Sequence, residues 1–423
     1  MGWTQRPVTN RKRAGPQGRN RLWQPALARW LPPKQRRVIA WASGLIALVA
    51  YPFIDKALNL QTLNAATDAA VFVVLALGLN IVVGYAGLLD LGYAAFFAIG
   101  AYATGIFTWP AHGLEWNFWL VIWISVAVAA IFGIIIGAPT LRVRGDYLAI
   151  ITLAFGEIVP IAIRNLWNID IRIGNYVLLE NFNLTNGPQG LNPVGRPWIF
   201  GFEFGFDPLP WYFLILIIGG LSILAMTRLQ DSRLGRAWMA IREDETAADC
   251  MGVDPIRTKL LSFALGASFS GFAGAIYAAK LQAIFPELFR FQVSIMILCM
   301  VILGGMGNIK GVVIGGMFIM FFDRVILAQS TQLVRTLGRS LNIASLTTVD
   351  LQLWRWFFFG MTLIIVMVLR PEGLFPSAQR AAELHEKEES LEGAGFEEAG
   401  ALEIDPTLQT QPPKPQTQDQ PDV

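Results

Sequence analysis

Gly235-Arg-Ala-Trp-Met-Ala-Ile-Arg-Glu-Asp-Glu-Thr-Ala-Ala-Asp-Cys-Met-Gly252 is a charged stretch set between two apolar segments, near 210–227 and 259–279. About 20 mostly apolar residues cross a bilayer, so each flank reads as a span and the stretch as a loop in water. Such a loop either engages a soluble partner or only turns the chain. Within it Glu243 to Met251 reads as a short helix, with Gly252 suited to its C-terminal stop and Pro255 beyond. Ala247 and Ala248 offer a face for close approach, and Arg242, Glu243, Asp244, Glu245 and Asp249 supply charges that could fix register in a groove. A helix this short is marginal alone in water. A docked partner would help to hold it.

The rest of the 423 residues agrees with a membrane setting, with 54% hydrophobic and only 15% charged residues. The mean hydropathy of +0.48 is far above that of an ordinary soluble domain. Spans are expected near 38–54, 62–83, 93–109, 118–138, 146–163, 210–227, 259–279, 291–303, 311–328 and 353–369. The fold class is therefore all-α, a polytopic bundle of about ten transmembrane helices with glycine-rich breaks. If the N-terminus is inside, ten alternating spans put Arg142, Arg144, Arg228, Arg233, Arg236, Arg242, Arg257, Lys259 and Arg370 inside as well. That is the distribution the positive-inside rule asks for, so both termini are expected in the cytoplasm and the chain in the cell (inner or plasma) membrane.

Three regions follow. Residues 1–37 form a basic arm with ten Lys or Arg and no acid, too long for a signal-peptide n-region. Residues 38–376 form the membrane domain. Residues 377–423 form an acidic, then Pro/Gln-rich tail that cannot build a core. The segment 165–209 is the longest expected outside loop; Asn186-Gly-Pro-Gln-Gly190, Asn192-Pro193 and Gly195-Arg-Pro-Trp198 dictate turns. It is a lid, a docking surface or a simple connector. Cys250 and Cys299 suggest no disulfide framework.

Polar residues interrupt the apolar runs at few places. One break is Gly84-Tyr-Ala-Gly-Leu-Leu-Asp-Leu-Gly92, followed by Tyr93; the other is Gly304-Gly-Met-Gly-Asn-Ile-Lys-Gly311. Irregular backbone at membrane depth needs protein or water to satisfy it, and broken helices often surround a transport path. Tyr85, Asp90 and Tyr93 are thus pathway candidates at the first break, against the alternative of tight turns with close packing. Glu157, in mid-span, should face the bundle interior; it serves the pathway or pairs with Arg164 or a backbone group freed by Pro160. Asp323 and Arg324 are expected to pair with each other or at the membrane interface, near a span end. No G-x-x-x-x-G-K-[ST] loop is present, and neither His112 nor His385 belongs to a metal-spaced cluster. The chain is expected to be no enzyme, to hold no metal or other cofactor, and to bind no nucleic acid.

Gly235 to Ala278 resembles the coupling-loop region of branched-chain amino-acid ABC transporter permeases, more narrowly their LivM-type subunit. Asn80-Ile-Val-Val-Gly-Tyr-Ala-Gly-Leu-Leu-Asp-Leu-Gly-Tyr93, Leu141 to Ile150, Leu184 to Gly190, Gly304 to Asn308 and Arg370 to Phe375 carry the likeness over most of 60–376. The resemblance implies a permease that forms half of a heterodimeric pore with a second permease subunit. It also implies two cytoplasmic ATPase subunits, which use the ATP, and an extracytoplasmic substrate-binding protein. The docking loop would comprise Gly235, Arg236, Ile241, Arg242, Glu243, Asp244, Glu245, Ala247, Ala248 and Gly252. Branched-chain or other neutral amino acids are the expected cargo. Urea or short amides on the same machinery, and an ion-coupled secondary transporter using Glu157 or Asp90, are the alternatives.

Overall fold

The computed structural model describes residues 33–375, apart from 59, 142, 144, 145, 174, 175, 200, 342–347, 349, 371 and 372. The expectations for most of the basic arm, for Arg142 and Arg144, and for the tail from 377 lie outside the described residues. The chain divides into two units, Met1–Gln61 and Thr62–Val423. The first holds one described helix, α1 (Pro33–Leu58), which starts ahead of the expected 38.

The second unit is a helical bundle. In order it contains α2 (Leu63–Leu79), α3 (Tyr93–Thr108), α4 (Phe118–Thr140) and α5 (Asp146–Asn165). Two short antiparallel hairpins follow, β1 (Ile169–Ile173) with β2 (Tyr176–Phe182) and β3 (Trp198–Ile199) with β4 (Phe202–Glu203). Then come α6 (Pro208–Gln230), α7 (Arg233–Glu243), α8 (Glu245–Cys250) and α9 (Pro255–Leu281). The unit ends with α10 (Phe291–Gly304), α11 (Ile309–Phe321), α12 (Leu327–Ser340) and α13 (Arg355–Leu369). Among the described residues eight helical stretches are long and apolar enough to cross a membrane, and α3 is a shorter apolar helix. Together with α1 they fall on the ten expected spans. The ninth runs on past 328, because a π-turn at Phe322–Ile326 joins α11 to α12 without ending the helix.

In lipid, helices associate through close packing more than through a hydrophobic driving force, and the sequence supplies small residues for it. Helix α9 lies at the centre, against α2, α3 and α4. A Cβ on Gly100 of α3 would sit 2.3 Å from the Gly271 Cα of α9, so only glycine permits this approach. Asn80 lies in a π-turn, Asn80–Tyr85, that prolongs α2. Its Oδ1 accepts from Gly307 N at 2.9 Å, placing the two glycine-rich breaks side by side. Asn308 Nδ2 donates to Phe375 O, and Arg242 donates to Gly84 O, so the loop between α6 and α9 shares that end of the bundle.

The segment 165–209 covers the opposite end. His112 sits between Ile106 O and Asn183 O, Thr108 Oγ1 accepts from Gly195 N, and Leu191 pairs with Ile284. The turn-rich reading of this segment omitted its two hairpins, although Ile169-Asp-Ile-Arg-Ile173 alternates apolar and polar residues as a strand does.

Candidate functional site

The loop between α6 and α9 is built by three caps. Ser232 Oγ accepts from Gly235 N, Asp244 Oδ1 from Thr246 N and Ala247 N, and Asp254 Oδ1 from Arg257 N. Each such cap contributes about 1 kcal/mol. Asp244 is extended, with φ −152° and ψ 110°, so the helix expected from Glu243 starts at Glu245 and a separate helix, α7, precedes it. Gly252 has φ +87°. Its N–H reaches Asp249 O and the Val253 N–H reaches Ala248 O, the paired bonds of a Schellman stop. The expected terminator is therefore in place.

The two faces of this loop differ. Trp238 is fully buried and donates through Nε1 to Thr258 O at 2.7 Å; Ile241 is buried beside it. Lys259 Nζ lies 2.7 Å from Glu245 Oε2. Ala248, expected on the approachable face, is 5% exposed and turned toward the chain's own bundle. Glu245, expected to engage a partner, ties α8 to α9 and stays exposed. The open face of the loop carries Glu243, Asp244, Thr246, Ala247, Asp249, Cys250 and Met251, the last 84% exposed. Sequence pattern gave no account of Trp238, Thr258 or Met251; the tryptophan inside a polar loop was the available signal.

Protein groups answer several backbone N–H groups of the first break. Asp90 Oδ1 accepts from Gly92 N at 2.8 Å, Leu91 N donates to Thr152 Oγ1, Ala94 N to Ser294 Oγ, and Tyr93 OH to Gly266 O. Tyr85, Asp90 and Tyr93 are all buried within this single chain. The Asp90 Oδ2, Tyr85 OH and Asn80 Nδ2 atoms are buried with no hydrogen-bond partner, a costly state that water or a moving chain would relieve. The second break is a tight turn: a Cβ on Gly304 would meet Gly311 O at 2.3 Å. Its backbone is closed by Asn308, which caps α11.

Glu157 does not face the interior of this chain. It is exposed and lines a cleft of about 280 Å³ with Pro160, Ile161 and Arg164 of α5, Pro286, Glu287 and Arg290 from the approach to α10, and Gln292 of α10. The spacing 157, 160, 161, 164 puts these residues on one helix face. Arg164 Nη1 pairs loosely with Glu287 Oε1 at 3.9 Å, so its partner is not Glu157. The cleft and the first break are neighbours: Thr152, which holds Leu91, lies on α5 below Glu157, and a Cβ on Gly92 would strike Thr152 O at 2.0 Å.

A second charged group was missed. Asp323 and Arg324 do pair, at 3.7 Å, but within a larger network. Asp68 of α2 bonds Lys280 of α9, Arg324 reaches Asp68 at 3.7 Å, and Arg355 reaches Asp323 at 3.7 Å. Four parts of the bundle distant in sequence meet here, and no local spacing announces it.

Against known proteins, residues 61–367 match the family model for the permease component of branched-chain amino acid transport systems. The chain is 35% identical over 354 residues to the high-affinity branched-chain amino acid transport permease LivM of Escherichia coli K12, covering 78% of this chain and 73% of that protein. It is 24% identical over 343 residues to the probable LivM of Methanocaldococcus jannaschii, covering 72% and 90%. It is also 26% identical over 275 residues to the permease LivH of Escherichia coli K12, covering 61% and 82%. No solved structure matches the chain. A multi-pass helical bundle with a capped polar loop, matched over most of its membrane domain, belongs to the family of branched-chain amino acid transport permeases.

Proposed function

We propose that this chain is one half of a heterodimeric permease in an ATP-driven importer of branched-chain or other neutral amino acids, with α8 as the element on which a cytoplasmic ATPase docks. One observation carries the reading. Helix α8 is fastened to the bundle on one side by Glu245, Ala248 and the Trp238 anchor beneath α7, and on the other presents Ala247, Cys250 and an 84% exposed Met251. A large apolar side chain held out on a braced helix at a loop tip suits a protein groove.

In this reading the α8 end of the bundle is cytoplasmic, as are both termini, and the segment 165–209 meets an extracytoplasmic substrate-binding protein. The chain's similarity to both LivM and LivH proteins supports a pore built from two related permeases. ATP is consumed by two partner ATPase subunits, and this chain contributes no cofactor. Tyr85, Asp90 and Tyr93 then lie along a pathway that opens only in another state of the cycle, and Glu157 lies on the face shared with the second permease.

The test is co-purification of the ATPases with the permease pair. Ala247→Arg and Met251→Asp, both on the open face, should reduce association at least tenfold, while leaving the permease folded. Unchanged association removes α8 as the docking element. Uptake by proteoliposomes with trapped ATP and no ion gradient, requiring both ATPase and binding protein, excludes the ion-coupled alternative. Competition by urea or acetamide but not by leucine would move the cargo to that rival class.

A further inference from the structure

The cleft beside Glu157 has a charge pattern suited to one class of small molecule. Four ionisable side chains line it, Glu157, Arg164, Glu287 and Arg290, two of each sign. Arg164 and Glu287 face each other at 3.9 Å. Glu157 and Arg290 have no ion-pair partner among the described residues, and both are exposed to the cleft. A carboxylate in a membrane span is expensive unless something polar answers it. Glu157 sits next to Gly156, which packs on the Gly92 backbone of the first break, so its backbone position is fixed.

A cleft whose formal charges cancel, yet which keeps one carboxylate and one guanidinium unanswered, does not favour an anion or a cation. It favours a ligand that carries both charges on a short frame. The ammonium of an α-amino acid is a donor for Glu157; its carboxylate is a planar acceptor suited to the fork of Arg290. Pro160, Ile161 and Pro286 supply apolar wall for a side chain. The volume of about 280 Å³ lies at the lower end of small-ligand sites.

We infer that this cleft is a transfer site for the zwitterion of an α-amino acid, in which Glu157 holds the ammonium and Arg290 the carboxylate. The inference rests on the amino-acid importer reading and adds to it the groups that read the substrate backbone. The site lies on the α5 face that the proposed importer shares with its second permease, where a path between a binding protein and the pore would run.

The experiment uses the complete importer, with both permeases, the ATPases and the binding protein, in proteoliposomes loaded with ATP and supplied with radiolabelled leucine. Glu157→Gln and Arg290→Gln should each lower uptake about tenfold, the size of one lost charge-assisted hydrogen bond. Glu157→Asp and Arg290→Lys should recover most of it. In the wild-type importer, a diazirine analogue of leucine should crosslink within 157–164 or 286–292. A wild-type complex that imports no neutral amino acid refutes the importer reading itself. A complex that imports leucine, with both glutamine variants at the wild-type rate or with crosslinks only elsewhere, refutes the cleft alone.

Discussion

Helices α5 and α13 both leave much of their surface uncovered by the rest of the chain, but for different reasons. Only 6% of the α13 span is buried, and its exposed side chains from Trp356 to Leu369 include no ionisable group. Acyl chains satisfy such a surface completely. In α5, 33% is buried, and the open face carries Glu157 and Arg164 among Ile158 and Ile161. Lipid cannot answer a carboxylate there without a cost of several kcal/mol. Exposure on α13 therefore marks contact with lipid. Exposure on α5 marks a surface that another protein or water completes.

The comparison breaks most visibly through charges that this chain does answer by itself. Lys280→Met strands Asp68, of which only Arg324 at 3.7 Å would remain in reach. Removing one partner of a buried pair costs about 3–5 kcal/mol, so thermal unfolding of the detergent-solubilised subunit should fall markedly. No shift would mean that charges inside this bundle need no answer, and α5 would lose its special status. A smaller effect comes from matched arginine substitutions. Ile365→Arg on α13 should impair membrane insertion by about 2 kcal/mol, whereas Ile161→Arg on α5 should cost clearly less in the assembled heterodimer. Equal penalties in an insertion and assembly assay would put both faces in lipid. The smallest expected effect is on folding by Glu157→Gln. With no ion-pair partner among the described residues to lose, it should leave unfolding of the isolated subunit within about 0.5 kcal/mol, even as uptake by the full importer falls.

Reading the sequence found the spans because the length of apolar runs is set by the bilayer, and it found the α8 terminator because few residues other than glycine adopt φ +87°. It could not separate protein-facing from lipid-facing helices. The span containing α2 has mean hydropathy 2.2 and is 83% buried, while that of α13 has 1.7 and is 6% buried. Both environments are apolar, so composition barely distinguishes them. The same limit explains Glu157, whose cost in lipid was legible but whose side of the helix was not. It also explains Ala248 and Glu245. Their types fit a docking surface, and only the packing shows that Ala248 is buried and that Glu245, though exposed, pairs with Lys259 of α9. Asp68 and Lys280 escaped because residues 212 positions apart carry no mutual signature.

Helix α9 starts where the loop is pinned, at Thr258 and Lys259, and ends at Lys280 beside Asp68. Its 27 residues make a rod of about 40 Å, gripped along its length by glycine contacts that leave little slack. A rod of that span tilted by about 5° at its base swings its tip by about 3 Å, roughly the length of one hydrogen bond. In the proposed importer, force arriving at the polar end need not be relayed residue by residue. It can reach the ion network on the far side as the stroke of a single lever arm.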